Sequence, residues 1–393
     1  MNINISKKTS IIFIIIYTLI VGAAAIIVFP EFNGSDATTY DGIAMNIVEQ
    51  GKFIEVHNQI TPPLYPVFLS IIFKIFGHSF IAVYIAQIFL LLGINILIFL
   101  ISKKYLRLPN LYALAVSIIT SSWPYMLLFV MQRLTETLYI FWLTLIVYQL
   151  FNFIAHPKLK NSLILGLLFA LATHTRPVIL FLLPWLLGIA ILIYLQKRYY
   201  KKDYNKIFLI IKYGLVGLLL FIFLCLPYTI YGSLKAGKFV PIASNISTIN
   251  KRANITMDKE WFLYQTHGYE LGSEFTYTKL IKIKIKNIYR FWDSGADGKR
   301  AELVTSKIPL AKYLISIYTF GFYLIVMLAL ASIMYIKKNK SVLLIWLVIL
   351  YFWLLHTALF PFPRYTLPII PLIIALALYS TSELIQKYKI KHQ

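Results

Sequence analysis

Apolar runs of about twenty residues, separated by short polar clusters, follow one another along almost the whole chain. They fall at 11–29, 79–101, 111–129, 137–155, 161–174, 177–195, 207–227, 310–336, 341–359 and 366–382. A helix rises ~1.5 Å per residue, so a run of ~20 crosses a hydrocarbon core of ~30 Å. The pattern predicts an all-α polytopic membrane protein with about ten transmembrane helices. The fifth run is short and the eighth long, differences that tilt or local bilayer thinning absorbs. Leu64–Phe76 is also apolar but too short to span, and is expected to lie in the interface or re-enter.

Charge then orients the chain. Lys7 and Lys8, Lys103, Lys104 and Arg107, Lys158 and Lys160, Lys197 to Lys206, Lys337 to Lys340, and Lys387 to Lys391 all fall on one side of a ten-span threading. Cytoplasmic loops hold excess Lys and Arg, so both termini are expected in the cytoplasm. Counting 64–76 as an eleventh span would invert every later loop. The first run is longer than a signal-peptide core and ends on Phe29, Pro30 and Glu31, which reads as a retained anchor. The chain is expected to be one transmembrane domain over 1–393, in the plasma (inner) membrane, with two large external segments, 30–78 and 228–309.

Composition agrees. The 393 residues are 59% hydrophobic and 13% charged, where a soluble domain is roughly a quarter charged. A net charge of +23 would suggest nucleic acid as the partner of a soluble protein. Here it is spent on topology, and membrane lipids are the expected surroundings. Cys225 is the single cysteine, which excludes an intramolecular disulfide and a multi-cysteine metal cage. The 228–309 segment carries 13 Lys or Arg against 7 acidic residues, a mild preference for an anionic glycan or lipid. Within it Ile281, Lys282, Ile283, Lys284, Ile285 and Lys286 alternate, compatible with an amphipathic strand or with a basic interfacial helix.

Ionisable groups avoid mid-span positions, where each costs about 2.5 to 3.5 kcal/mol on insertion. Asp36, Asp41, Glu49, Arg133, Glu136, His174, Arg176, Arg364 and Tyr365 gather instead at the outer ends of different spans, as around a cavity opening outward. After the first span, Ser35 can cap a short helix with Asp36 in its first turn and Tyr40, Ala44, Ile47 and Val48 on one face. Plainer roles exist for each group. Asp36 would complement that helix's dipole, Arg133 and Glu136 would pair locally at i, i+3, Arg176 and Arg364 would anchor at headgroups, and Asp41 and Glu49 would be solvated. His57, His78 and His174 lack metal-ligand spacing, so no metal site is expected. There is no GxGxxG, P-loop or Asp-x-Asp, and no nucleotide cofactor is expected. Pro124, Pro184, Pro227, Pro368 and Pro371 are expected to kink or unwind helices.

An acidic residue after the first span, the run Asp36 to Gly51, and Thr61, Pro62, Pro63, Leu64, Tyr65 and Pro66 precede Gly77 and the second span. Arg133 to Glu136, then Thr175, Arg176 and Pro177, then Arg364, Tyr365 and Pro368 follow in order. This series resembles the GT-C glycosyltransferases of the protein O-mannosyltransferase and aminoarabinose-transferase type, across most of the chain outside roughly 200 to 310. The resemblance implies an enzyme that moves a sugar from a polyprenyl-phosphate carrier to a protein, lipid or envelope-glycan acceptor on the outer face, needing no cofactor beyond the lipid-linked donor. It implies Asp36 as general base and Glu136 as the second acid. For the donor phosphate, the fixed cations Arg364 and Arg176 come first, with Tyr365, Lys52 and His174 as further candidates. An O-antigen-type polymerase and a flippase without catalysis are the competing readings.

Overall fold

The computed structural model describes residues 5–28, 35–56, 60–199, 204–237, 239–242, 277–294, 311–358 and 363–391. Much of the 228–309 segment lies outside these residues, as do Asn33, Asn245 and Asn254, which match glycosylation sequons. The described residues are helical, without strands: α1 (Lys7–Val28), α2 (Ser35–Gln50), α3 (Leu64–Phe76), α4 (Phe80–Lys104), α5 (Asn110–Ser121), α6 (Pro124–Val130) and α7 (Glu136–Ala155), then α8 (Leu159–Thr175), α9 (Leu182–Tyr199), α10 (Asn205–Ala236), α11 (Tyr277–Arg290), α12 (Ala311–Ala331), α13 (Lys340–Ala358) and α14 (Ile370–Lys391).

Eight of these helices are long and apolar enough to cross a membrane, and the bent pair α5–α6 makes a ninth. The remaining expected span, the fifth, is α8, which has 17 residues. The expected order of spans is therefore present, with one of them broken. The break lies at Ser122–Trp123, where the axis turns by 55°. Pro124 begins α6, a position where its missing N–H costs nothing and where it cannot continue the preceding helix. Pro368 sits in a 3-10 turn, Leu367–Ile369, ahead of α14. Pro227, by contrast, lies inside an unbroken α10, which runs well past the expected end of that span. The Ile–Lys alternation proves to be helical, since α11 covers it.

The core sits along α4, α7 and α14. α4 packs on α1, α5 and α7, α8 packs on α7 and α10, and α14 packs on α5 and α12. Small residues allow the tightest crossing. A Cβ on Gly217 would fall 2.6 Å from the Ser162 hydroxyl oxygen and 2.7 Å from its carbonyl oxygen, and one on Gly166 would fall 2.4 Å from the Gly217 carbonyl. In an apolar solvent such close backbone contact is what draws helices together. Polar side chains add direction: the buried Asn95 amide donates to Thr18 on α1 at 3.0 Å and to Ser121 on α5, so three helices are pinned at one depth. An apolar cavity of about 190 Å³ opens among α7 to α10 and α13, lined by Leu150, Leu165, Leu187, Ile193, Ile210 and Leu347, among others.

α2 and α3 pack on each other at the end of the bundle where α7 begins and α8 ends. α3 is too short to span, as expected for Leu64–Phe76, and it buries Tyr65, Leu69 and Phe73 against α2 and α4. This pair of short helices carries the first acidic residues to the bundle's polar end.

Candidate active site

Each functional side chain is set by a local break in helical structure. Glu136 is the first residue of α7, where the helix dipole favours a carboxylate. The turn before it is held by Gln87 of α4, whose buried amide donates to the carbonyls of Val130 and Gln132, both at 2.8 Å. Arg176 lies between α8 and Pro177 with extended backbone, φ −147° and ψ 119°, the geometry that a following proline imposes. Arg364 and Tyr365 occupy a short 3-10 turn, Pro363–Tyr365. Asp36 lies in the first turn of α2 and is exposed.

These breaks meet. Glu136 is almost fully enclosed, its side chain 3% exposed, and its Oε1 accepts from Arg176 Nη1 at 2.9 Å while Arg364 Nη1 stands 4.0 Å from the same oxygen. The two guanidinium carbons lie 5.7 Å and 5.6 Å from the centre of the Tyr365 ring. Tyr40, one turn along α2 from Asp36, completes the group. Burial pushes its hydroxyl well above the usual tyrosine range, with Asp36 and Glu136 raising it further and Arg176 and Arg364 opposing them. Tyr40 therefore stays a hydrogen-bond donor. Burial works against the charge on Arg364, but Glu136 and Tyr365 outweigh it and hold the group above the ordinary arginine value, with Arg176 opposing and Asp36 supporting. The result is a fixed cationic pair beside two carboxylates, at the rim of an apolar bundle.

A second ion pair lies close by. Arg133 Nε donates to Asp41 Oδ2 at 2.7 Å, with side chains 4% and 12% exposed, and its guanidinium lies 3.6 Å over the Phe80 ring. This corrects one expectation and gives Arg133 a long-range partner. Asp41 is buried rather than solvated, and Arg133 reaches across 92 positions of sequence to tie α2 to the turn that presents Glu136. Asp41 sits ~140° round α2 from Asp36 at ~100° per residue, so one helix turns one acid inward and the other outward.

Asp36, Glu136, Arg176, Arg364 and Tyr365 are thus brought together, while Lys52 and His174 are not. Lys52 is exposed after α2 and makes no ion pair among the described residues. His174 Nδ1 is engaged by the Ala170 carbonyl at 2.8 Å, and its ring lies edge-on to Tyr228 at 6.0 Å. Sequence reasoning also missed Glu55. Its Oε1 accepts from the Thr61 amide at 3.0 Å and the Tyr228 hydroxyl at 3.3 Å, and its Oε2 pairs with Lys235. Only the burial of a lone acid between polar neighbours would have marked it, and that is not visible in spacing.

Comparison with solved structures decides the architecture. The crystal structure of ArnT from Cupriavidus metallidurans bound to undecaprenyl phosphate matches over 95% of this chain and 60% of that chain, with a TM-score of 0.56 and 11% identity. The fold is GT-C. The GT-C match spans about three fifths of the length of ArnT. Residues 61–231 match the family model for dolichyl-phosphate-mannose-protein mannosyltransferase, which covers α3 to most of α10 and so takes in Glu136 and Arg176. No curated protein matches the chain. The GT-C membrane glycosyltransferase resemblance seen in the sequence and the GT-C architecture of the bundle agree.

Proposed function

We propose that this chain is an inverting glycosyltransferase that moves a sugar from a polyprenyl-phosphate carrier to an acceptor hydroxyl on the outer face of the membrane, with both termini in the cytoplasm. The observation that carries the reading is the convergence of Arg176 and Arg364 on one oxygen of Glu136, beside the helix that bears Asp36, in a GT-C bundle.

The chemistry follows from that placement. The Asp36 carboxylate takes the acceptor's hydroxyl proton as the oxygen attacks the anomeric carbon. The new C–O bond forms as the bond from that carbon to the phosphate oxygen breaks, and the electron pair leaves with the polyprenyl phosphate, inverting the centre. The growing negative charge on the phosphate meets two guanidinium planes already fixed by Glu136, which need no reorganisation at the moment of reaction. Tyr365 and Tyr40 bring their hydroxyls to the same rim. The carrier's isoprenoid tail suits the surrounding lipid and the apolar cavity, and the printed ligand of the structurally similar ArnT is a lipid of this class. The reading assigns no cofactor and no metal ion. Among the described residues no group of three His, Cys, Asp or Glu side chains is placed to hold a metal. Lys52 and His174 stay candidates for the donor phosphate on the resemblance alone, since neither joins the cluster around Glu136.

The test is retention of undecaprenyl phosphate by detergent-purified protein in native mass spectrometry. Wild type and Asp36→Asn are expected to hold the lipid and Arg364→Ala to lose it. Absence of binding to wild type, or equal binding by all three, rejects the donor site.

A further inference from the structure

Tyr365 is held by more than its own backbone. The 3-10 turn that carries it, Pro363–Tyr365, has three residues, too few to define an orientation through a hydrogen-bond ladder. What fixes the ring is a stack. His356, in the last turn of α13 and 5% exposed, lies parallel to Tyr365 with centroids 4.5 Å apart and planes 20° apart. Phe352, one turn earlier, lies 6.3 Å from His356 at 20°. Phe291, fully buried just beyond α11, lies 5.8 Å from it at 18°. α11 is itself docked on the end of α13, where Lys284 reaches the Ala358 carbonyl and the Trp353 indole donates to the Ile288 carbonyl at 3.3 Å.

We propose that His356 is a positioning residue for the cationic pair. Its ring is a flat seat that sets the plane of Tyr365. Tyr365 in turn stands between 5 and 6 Å from both guanidinium groups and is bonded directly to Arg364. Phe291 then links this seat to α11, so that the helix from the large 228–309 segment and the anion-binding groups share one rigid stack. The part His356 plays is geometric and rests on its aromatic face, since offset parallel rings at this spacing attract one another beyond simple burial. The inference depends on the reading of Arg176 and Arg364 as the donor-phosphate site.

The experiment measures undecaprenyl phosphate affinity and Tm for the full chain in lipid nanodiscs, comparing wild type with His356→Phe, His356→Gln and His356→Ala. The stack predicts that Phe, which keeps a flat ring and discards both ring nitrogens, binds within about twofold of wild type, whereas Ala and Gln weaken binding about three- to tenfold, the range of an aromatic pair. Rescue by Phe separates positioning from general packing, because Gln fills most of the same space without a ring. The proposal is overturned if Ala binds as wild type does, or if Gln restores affinity and Phe does not. Should Ala fail to fold, the Phe and Gln pair decides alone. Loss of binding by wild type itself would remove the donor site and this role with it, whereas binding by wild type and all variants alike removes only this role.

Discussion

Two clusters at the polar end of the bundle use the same residue types in different ways. Around Arg133 the site is closed: the Asp41 carboxylate meets the guanidinium above a phenyl ring, with little exposure on either side. Around Glu136 one carboxylate oxygen faces two guanidinium groups, and these are the more reachable members, 15% and 25% exposed against 3% for the acid. A closed pair fixes elements against each other, whereas a carboxylate buried beneath two reachable cations leaves those cations turned outward, which is what the proposed donor site requires. The difference shows why an arginine at the rim of a membrane bundle cannot be assigned from its identity alone.

Substitutions can break or sharpen that contrast. The largest effect is expected for Asp36→Asn, which should lower transfer by about 10² to 10⁴, the usual contribution of a general base, while leaving Tm and lipid binding unchanged in the same preparation. Asp41→Asn strands a buried guanidinium and should cost roughly 3 to 5 kcal/mol of stability, read as a fall in the thermal transition. Replacing both partners, Asp41→Leu with Arg133→Met, should return most of that loss, because an apolar pair removes the buried charges together. Arg364→Ala should weaken undecaprenyl phosphate binding by about 1.5 to 3 kcal/mol, the worth of a charged hydrogen bond. Arg364→Lys should recover only part of this, lacking the planar fork. The smallest effect belongs far from both clusters: Gly217→Ala should cost about 1 to 3 kcal/mol through overpacking of the α8–α10 crossing without selectively changing lipid affinity.

Much of the architecture was legible because membranes impose it. Twenty apolar residues and alternating loop charge leave few threadings, and of the five prolines expected to kink or unwind helices Pro124 sits at the bent pair found among the described residues, whereas Pro227 leaves its helix unbroken. Leu64–Phe76 forms a helix of 13 residues, too short by length alone for a crossing. Period-two alternation in 281–286 was ambiguous for a physical reason: in the helix, Lys284 turns toward α13 and the Ala358 carbonyl, a tertiary choice that leaves no mark on spacing. The site divides similarly. Asp36, Glu136, Arg176, Arg364 and Tyr365 were gathered by their common position at span ends. The Arg133–Asp41 pair leaves no mark in the sequence, because the partner lies 92 positions away. His356 was invisible, since a histidine in a run of aromatic and aliphatic residues looks like any other span residue.

The lengths of α8 and α10 carry a consequence for the surrounding bilayer. At ~1.5 Å per residue, the 17 residues of α8 reach ~25 Å and the 32 of α10 ~48 Å, yet the two helices pack side by side. α8 keeps Leu163, Ile164 and Leu167 exposed, so lipid beside it must match a hydrophobic height below the ~30 Å of an average core. Bilayer thickness thus becomes a variable of this chain's stability, and a comparison of its Tm in thin and thick nanodiscs should favour the thinner bilayer.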